Sequence, residues 1–251
     1  MGCTKVDADC KFCYMYRQSL NGTRYTPNAV RRTMPKTFTM PLRLKEPTLI
    51  FTASLTDIFH EELDSYREEI WDIIRQCPQH TFQILTKRPE RIAEHLPADW
   101  GNGWDNVWLG TSVGSFDSLW RAFHFADFRA KVKFLSIEPL FGKIDFLNEP
   151  IVSYHLNPLF MLDWVIVGGE SGNDNGKYRY RPCELDWIET IVKNCHHANV
   201  PVFVKQLGTH LAKQLKLKDR HGGDMEAWPQ SLDHLKIREM PICHKPINKA
   251  I

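Results

Sequence analysis

Short apolar runs alternate with amphipathic stretches from about residue 45 onward. The runs are rich in β-branched and aromatic residues, which is typical of strands, and the stretches between them carry apolar residues at helical spacing. Successive runs start about 25 to 40 residues apart, enough for a strand, a crossover helix and two loops. This pattern predicts an α/β protein with a parallel sheet. The predicted strands cover residues 48–53, 81–86, 106–111, 131–137, 163–167 and 201–205.

Amphipathic stretches between the runs predict the helices. In residues 64–77, Ser65 and Glu68 have the spacing of a capping box, and the apolar face ends at Cys77. The other predicted helices cover residues 88–96, 115–128 and 182–198. The alternation stops after Gly208, so residues 1–210 are interpreted as one barrel-like domain with an N-terminal loop. Residues 211–251 are interpreted as a packed C-terminal extension that frays at its end.

Composition narrows the class of protein. The chain has 251 residues, of which 43% are hydrophobic and 25% charged, the make-up of an ordinary globular domain. Its formal net charge of +2 does not require a polyanionic partner. No apolar run approaches the roughly 20 residues of a membrane-spanning helix, and the N-terminus has no signal-peptide pattern. We therefore expect a cytoplasmic protein without a membrane partner.

Three cysteines, Cys3, Cys10 and Cys13, lie in one short N-terminal loop. Thiolates are soft ligands for zinc or iron. The next cysteine or histidine is His60, so a closed four-ligand zinc site is not visible locally, whereas three cysteines can hold an iron-sulfur cubane with one open iron. The remaining cysteines are not predicted to be ligands: Cys77, Cys183, Cys195 and Cys243.

Polar residues follow every predicted strand at the point where the strand ends. In parallel barrels these ends converge on one mouth, so their recurrence predicts a lined pocket. The alternative is that loops begin at strand ends and loops are polar. The residues are Ser54, Thr56 and Asp57; Thr86, Lys87 and Arg88; Thr111 and Ser112; Glu138; Gly168, Gly169, Glu170 and Ser171; and Lys205 and Gln206.

The cysteine loop, with Phe12 and Tyr14 on either side of Cys13, resembles the cluster loop of the radical S-adenosylmethionine superfamily. It departs from the usual pattern, because six residues rather than three separate Cys3 from Cys10. Further stretches resemble a phage-type family of uncharacterised three-cysteine proteins, and spore photoproduct lyase more distantly. These stretches lie at residues 2–6, 57–61, 83–89, 106–110, 163–172 and 204–206.

The resemblance implies a partial (β/α) barrel whose first strand, which precedes the cluster loop in the superfamily, is missing here and leaves a gap. It implies a [4Fe-4S] cluster on Cys3, Cys10 and Cys13, with S-adenosyl-L-methionine bound at the open iron. The implied reaction is reductive cleavage of that cofactor to a 5'-deoxyadenosyl radical, with electrons from a donor such as flavodoxin or ferredoxin. The protein positions and shields the reacting groups.

The resemblance also implies residue roles. Phe12 is expected near the adenine, and Lys87 at the cofactor carboxylate. Ser54 and Asp57 stand where related proteins bind the cofactor amino group, although the usual glycine-rich turn is absent. The glycines at 168 and 169 permit close approach of the backbone to a ligand. Ser112, Gly168 and Gly169 complete the predicted cofactor site, and Glu138, Glu170 and Lys205 are the predicted catalytic residues.

Two hypotheses for function follow. The first is a radical S-adenosylmethionine enzyme, with nucleic acid as one candidate substrate by analogy. The second is a zinc- or cluster-stabilised, nucleic-acid-associated binding module without turnover. Trp100 and Trp104, in a Gly-rich loop, are candidates to stack the bases of a nucleic-acid substrate, whereas Trp108 alternates inward within a strand and is predicted to be core. The charged residues at the strand ends favour the enzyme.

Overall fold

The computed structural model describes residues 1–16, 29–148 and 157–242. In these ranges six strands form one sheet, and each strand pairs in parallel with the next strand along the chain. The sheet curls into a half-barrel, so the prediction of a partial barrel of six parallel strands is confirmed. The strands are β1 (Leu49–Thr52), β2 (Thr81–Thr86), β3 (Val107–Ser112), β4 (Val132–Leu140), β5 (Trp164–Gly169) and β6 (Val202–Gln206).

Helices connect the strands and pack on the outer face of the sheet. Within the described ranges the α-helices are α1 (Pro35–Phe38), α2 (Arg67–Gln76), α3 (Ile92–His95), α4 (Trp120–Ala126), α5 (Leu185–Ala198) and α6 (Gly208–Gln214). Short 3-10 turns cover Ala8–Cys10, Met40–Arg43, Glu61–Leu63, Pro89–Arg91, Phe116–Ser118, Pro158–Met161, Met225–Ala227 and Gln230–Leu235. The loops between strand ends and helices thus contain much of the irregular backbone.

Helix α2 begins later than the sequence pattern predicts. Ser65 and Glu68 do not form a capping box, because the first helical residue is Arg67 and the N-cap makes no side-chain hydrogen bond. The Arg67 side chain turns back instead and donates to the carbonyl groups of Ile58 and His60, each at 3.1 Å. The start of the helix is therefore set by a buried arginine and not by a capping side chain.

Strand residues alternate between two apolar clusters on opposite faces of the sheet. The larger cluster combines one face of the strands with helix residues such as Trp71 of α2 and Ile188 of α5. The smaller cluster fills the concave face and consists of Leu49, Trp108, Val132, Phe134 and Trp164. These residues lie near the strand starts, so the apolar filling occupies the amino end of the half-barrel and leaves the carboxyl end to polar side chains.

Along β4 the concave face changes from apolar to polar. Val132 and Phe134 are buried in the smaller cluster, and Ser136 and Glu138 follow on the same face and line a pocket. Gly110 of the neighbouring strand β3 makes room for the Phe134 ring, since a Cβ at Gly110 would lie 2.5 Å from that ring. The change of polarity within one strand places the pocket above a packed base.

The sheet is open, because β1 and β6 do not pair with each other. The outer edge of β6 is covered by the C-terminal chain, where the Val204 amide donates to the Ile237 carbonyl at 2.9 Å. Beside β1, the Gly2 amide donates to the Leu55 carbonyl at 2.9 Å, just beyond the strand. Among the described residues no further strand pairs with β1, so the predicted gap at this place is confirmed.

The described part of the C-terminal extension packs on the barrel. Trp228 is buried in the larger cluster, and its indole donates to the Gly222 carbonyl at 3.1 Å. Helix α6 runs across the predicted boundary at residue 210. The predicted fraying falls on residues 243–251, which lie outside the described residues together with Cys243. Other residues of the extension in the larger cluster are Met225, Leu232 and Leu235.

Candidate functional site

A cavity of about 300 Å³ lies at the carboxyl ends of the strands, where the sequence predicts a pocket. One wall is the cysteine loop, defined here as residues 3–13, and the rest comes from the ends of the strands. Ser112 and Gly168 are the two predicted site residues outside the lining. Those that line the cavity are Cys3, Cys10, Phe12, Cys13, Ser54, Asp57, Lys87, Glu138, Gly169, Glu170 and Lys205.

The three cysteines of the loop are free thiols and half-buried. Burial raises the pKa of the Cys3 thiol to about 11 and also raises the pKa of Cys13. Both are therefore neutral thiols near pH 7 when no metal is bound. Metal ligation requires thiolates, so a metal centre that binds here has to displace these protons.

The donor set of the cavity fits the chemistry of an iron-sulfur cubane. In the described ranges no three His, Cys, Asp or Glu side chains are spaced to hold a single metal ion. The ligands of a cubane stand farther apart than those of one ion, because each thiolate binds a different iron. Three thiols line the cavity and no histidine does. Thiolates are ligands both for iron-sulfur clusters and for zinc, so three thiols in one cavity are compatible with either centre.

Arg88, at the exit of β2, holds the start of the cysteine loop. Its guanidinium donates to the Thr4 hydroxyl at 2.8 Å and to the Thr4 carbonyl at 3.2 Å. It also lies 3.8 Å from the Cys3 sulfur and forms an ion pair with Asp57 at 3.4 Å. Since Arg88 is buried, these contacts fix Cys3 against the ends of β1 and β2.

Arg121, on α4, holds the middle of the loop. Its Nη1 donates to the Asp9 carboxylate and to the Ser112 carbonyl, each at 2.8 Å. Its Nη2 forms an ion pair with Asp7. Burial lowers the pKa of Arg121 to about 10, which is far enough above neutral pH for the side chain to stay charged. A buried cation therefore joins two acidic residues of the loop to the end of β3.

Arg181 holds the loop from the side of β5. Its Nη1 donates to the Ala8 carbonyl at 2.8 Å. Its guanidinium carbon lies 3.5 Å from the centroid of the Phe141 ring and 5.8 Å from that of Phe12. The remaining guanidinium nitrogens bind Glu170. Three arginines from different parts of the chain thus anchor the loop that carries the cysteines.

Two acidic residues that the sequence assigns to ligand contact are engaged by the protein. Asp57 accepts from the Thr86 hydroxyl at 2.7 Å and from the Lys87 amide at 2.9 Å, in addition to its ion pair with Arg88. Glu170 uses both carboxylate oxygens to bind Arg181. Both carboxylates hold the wall of the cavity in place through these contacts.

A chain of polar contacts crosses the cavity from β2 to β6. The Lys87 ammonium donates to the Ser112 hydroxyl at 2.9 Å, and that hydroxyl donates to the Glu138 carbonyl at 3.1 Å. The Glu138 carboxylate pairs with Lys205 at 2.8 Å. Lys205 is matched by a carboxylate, whereas the Lys87 side chain donates to a neutral hydroxyl. Lys87 thus makes its direct hydrogen bond to a neutral group, although the Asp9 carboxylate in the same lining is close enough to interact with its charge.

The glycines at the end of β5 have a packing explanation. A Cβ on Gly169 would lie 2.3 Å from the Leu207 carbonyl oxygen, and one on Gly168 would lie 3.2 Å from the Gln206 side chain. The close approach that these glycines permit is to the exit of β6. Gly169 also lines the cavity, so the interpretation from the sequence that these glycines let a ligand approach the backbone stays a prediction.

Trp100 and Trp104 both contact the Trp71 ring, with centroid distances of 6.0 and 5.8 Å. Trp100 is 6% exposed, and its indole donates to the Arg129 carbonyl at 2.8 Å, so it is a core residue. Trp104 is half-buried, and a role for it in base stacking stays a prediction.

Three further cysteines are core residues. The sequence predicts burial for Cys77 and Cys195, whereas it places Cys183 in a loop that is able to approach the mouth of the barrel. Cys77, Cys183 and Cys195 are all buried in the larger apolar cluster. Burial raises the pKa of Cys183 to about 12, so its thiol is a poor metal ligand in this environment. None of the three lines the cavity.

Sequence patterns placed Arg88 among the strand-end residues but did not reveal that Arg88, Arg121 and Arg181 anchor the loop. Arg88 stands in a stretch noted for its resemblance, but its charge was not assigned a partner. Asp7 and Asp9 gave a usable signal, because acidic residues between ligand cysteines repel thiolates unless a cation neutralises them. The identity of that cation was not readable, since Arg121 lies 112 residues from Asp9 along the chain.

The fold and the cavity define an α/β protein with an open parallel half-barrel and a thiol-lined pocket at its carboxyl edge. The chain belongs to the family described as protein of unknown function (DUF5131), whose model matches residues 1–241. The resemblance to an uncharacterised family over nearly the whole chain is thereby confirmed. No curated protein and no solved structure matches the chain. In the described ranges no helix has the length and apolar character needed to cross a membrane.

Proposed function

We propose that this protein is a radical S-adenosylmethionine enzyme with a [4Fe-4S] cluster held by Cys3, Cys10 and Cys13. The observation that carries the proposal is the presence of all three free thiols in one cavity with Lys87, at the carboxyl edge of a parallel half-barrel. When bound and reduced, the cluster supplies an electron that cleaves S-adenosyl-L-methionine to a 5'-deoxyadenosyl radical, which abstracts hydrogen from a substrate.

Three residues of the cavity contact the cofactor under this proposal. Lys87 binds the cofactor carboxylate, because its charge is not matched by an acidic partner in its hydrogen bond to Ser112. Phe12 offers an aromatic face to the adenine and is backed by Arg181. The exposed Ser54 lies at the cofactor amino group.

The opposite side of the cavity is assigned to the substrate. Glu138 and Lys205 form an ion pair that offers one acceptor and one donor to a polar group. Glu170 and Asp57 serve as positioning residues, since protein donors occupy their carboxylates. Nucleic acid stays the first candidate substrate, by analogy with spore photoproduct lyase alone. The proposed electron donor is a flavodoxin or a ferredoxin.

The binding module without turnover is the weaker candidate. It leaves without a role the ion pair of Glu138 and Lys205 in the cavity. We therefore do not adopt it.

The test is anaerobic purification followed by reconstitution with iron and sulfide. We expect a brown protein with about four irons per chain. After addition of S-adenosyl-L-methionine and a chemical reductant, chromatography should detect 5'-deoxyadenosine. The matched control is Cys10→Ala, which should yield neither cluster nor product. A colourless protein with one zinc, or a four-iron protein that never releases 5'-deoxyadenosine, would overturn the proposal.

A further inference from the structure

We infer that Arg121 is a positioning residue for the cysteine loop. By binding Asp7 and Asp9 together, it fixes the segment between Cys3 and Cys10 so that both cysteines face the cavity. We assign to Arg121 the role of keeping the loop ordered even when no cofactor is bound. The inference rests on the proposed function in one respect only, namely that the ordered loop serves to bind the cluster.

The contacts of Arg121 are concentrated on this segment. The side chain is fully buried, with Nη1 at 2.8 Å from the Asp9 carboxylate and Nη2 paired with Asp7. The same Nη1 lies 2.8 Å from the Ser112 carbonyl at the end of β3. One guanidinium therefore ties two positions of the loop to the sheet, a geometry suited to its planar fork of donors.

Asp7 also shapes the loop from within. It is the N-cap of the 3-10 turn Ala8–Cys10, and its carboxylate accepts from the Asp9 amide at 2.9 Å. The turn leads directly into Cys10, so the orientation of this cysteine depends on the turn. Because Asp7 both caps the turn and pairs with Arg121, docking of the loop and formation of the turn are coupled.

Arg121 and the cysteine loop depend on each other for stability. A buried guanidinium needs nearby negative charge, and its two carboxylate partners both come from the loop. Undocking of the loop would leave Arg121 in the protein interior with the Ser112 carbonyl as its remaining bonded acceptor among the described residues. The unusually long spacing between Cys3 and Cys10 is thereby kept in one conformation by an internal charged contact.

The other two arginines have different contacts. Arg88 binds Thr4 and lies near the Cys3 sulfur, and Arg181 binds the Ala8 carbonyl and lies near the Phe12 ring. Arg121 is the one that binds two acidic side chains of the loop in the described structure. Its loss should therefore loosen residues 4–10 more than loss of either other arginine.

The experiment uses the reduced, metal-free full chain, so that it does not depend on the cluster. The variant is Arg121→Met, and the matched control is Arg67→Met, which removes another buried arginine, one that binds the carbonyl groups of Ile58 and His60 and makes no direct contact with the loop in the described structure. Two quantities are measured: the rate of Cys10 alkylation by N-ethylmaleimide, located by mass spectrometry, and amide hydrogen exchange of residues 4–10.

We expect Arg121→Met to raise the Cys10 alkylation rate and loop amide exchange by about tenfold or more over wild type, because the loop opens locally. Arg67→Met should leave both near the wild-type values. Arg121→Lys, which keeps the charge but not the fork, should lie between. Wild-type rates of alkylation and exchange in a folded Arg121→Met protein would overturn the inference.

If Arg121→Met fails to fold, the double variant Asp7→Asn/Asp9→Asn decides, since it removes both charges from the loop side. In this double variant, amide hydrogen exchange of residues 4–10 should rise as in Arg121→Met. Exchange at the wild-type rate would count against the inference. Iron content after reconstitution is a separate readout. If the wild type binds no iron, the proposed function fails while the exchange data still decide the role of Arg121.

Discussion

The guanidinium of Arg181 binds both carboxylate oxygens of Glu170, with Nε to Oε2 at 2.8 Å and Nη2 to Oε1 at 2.7 Å. The Arg181 backbone amide donates to Oε2 as well, at 2.8 Å. Glu170 is 5% exposed. This bidentate pair closes the base of the loop after β5 and directs Arg181 toward the Ala8 carbonyl of the cysteine loop.

Arg181→Met should lower the free energy of unfolding by about 2 to 4 kcal/mol, because it leaves the Glu170 carboxylate buried without its cation. Glu170→Gln keeps the shape of the side chain and should lower the free energy of unfolding by less. The double variant should cost less than the sum of the two single changes, as expected for a direct pair. Urea unfolding followed by tryptophan fluorescence measures all three, and strictly additive values would show that the pair is not coupled.

Each of Cys3, Cys10 and Cys13 should be indispensable for cluster assembly, because each thiolate binds a different iron and the lining offers no substitute cysteine or histidine. Alanine at any of the three should abolish iron and sulfide retention after anaerobic reconstitution. Cys77→Ala and Cys195→Ala are the controls and should retain it. Iron kept by Cys10→Ala, or lost by Cys195→Ala in a folded protein, would contradict the assignment.

Lys87→Met should weaken S-adenosyl-L-methionine binding about tenfold to a hundredfold while the cluster stays, because a charge-assisted hydrogen bond contributes about 1.5 to 3 kcal/mol. Anaerobic calorimetric titration of the reconstituted protein provides the affinity. Lys131→Met is the control, since Lys131 forms a surface ion pair with Asp105. Unchanged affinity with an intact cluster would remove Lys87 from the cofactor site.

Trp100→Ala should lower the free energy of unfolding by about 3 to 5 kcal/mol, because it opens a cavity beside Trp71 and removes the hydrogen bond to Arg129. Trp120, which is 46% exposed, is the control, and its replacement by alanine should cost under about 1 kcal/mol. Chemical denaturation supplies both values. A Trp100→Ala protein of normal stability that had lost affinity for a single-stranded oligonucleotide would restore the base-stacking role.

His60 should make the protein less stable in mild acid. Burial first, and then the neighbouring Arg88, lowers the pKa of His60 from 6.5, although Glu61, Glu62 and Asp57 oppose the shift. The unfolded state then binds the proton more readily, so stability is full above about pH 6.5 and falls as the pH decreases below it, by at most about 1.4 kcal/mol per pH unit.

The geometry gives the reason for this sensitivity. The Nδ1 atom of His60 accepts from the Glu62 amide at 3.1 Å, so protonation there breaks that hydrogen bond. The measurement is unfolding free energy between about pH 5 and pH 7 for wild type and His60→Gln, with the exposed His197→Gln as control. The His60 variant should show a flatter acid limb, and an unchanged slope would show that another group titrates.

Local chemistry determined much of the architecture. The apolar runs of β1 to β6 were readable because alternation and β-branched composition depend on neighbouring residues alone. The same holds for the polar strand ends, which parallel strands bring to one edge whatever the details of packing. Cys3, Cys10 and Cys13 were recognisable for a similar reason, since their spacing along the chain is itself the signal.

The tertiary structure alone decided which charged and aromatic groups meet. The acidic partners of Arg121 precede it by 112 and more residues. The ring partners of Trp71 include Trp100, which lies in a different loop. Asp57 looked like a ligand residue in the sequence, yet folding places Thr86 and Arg88 on its carboxylate. Such pairings depend on the curvature of the sheet and the path of each loop, which arise from many weak contacts summed over the whole chain and are not encoded in any short stretch of it.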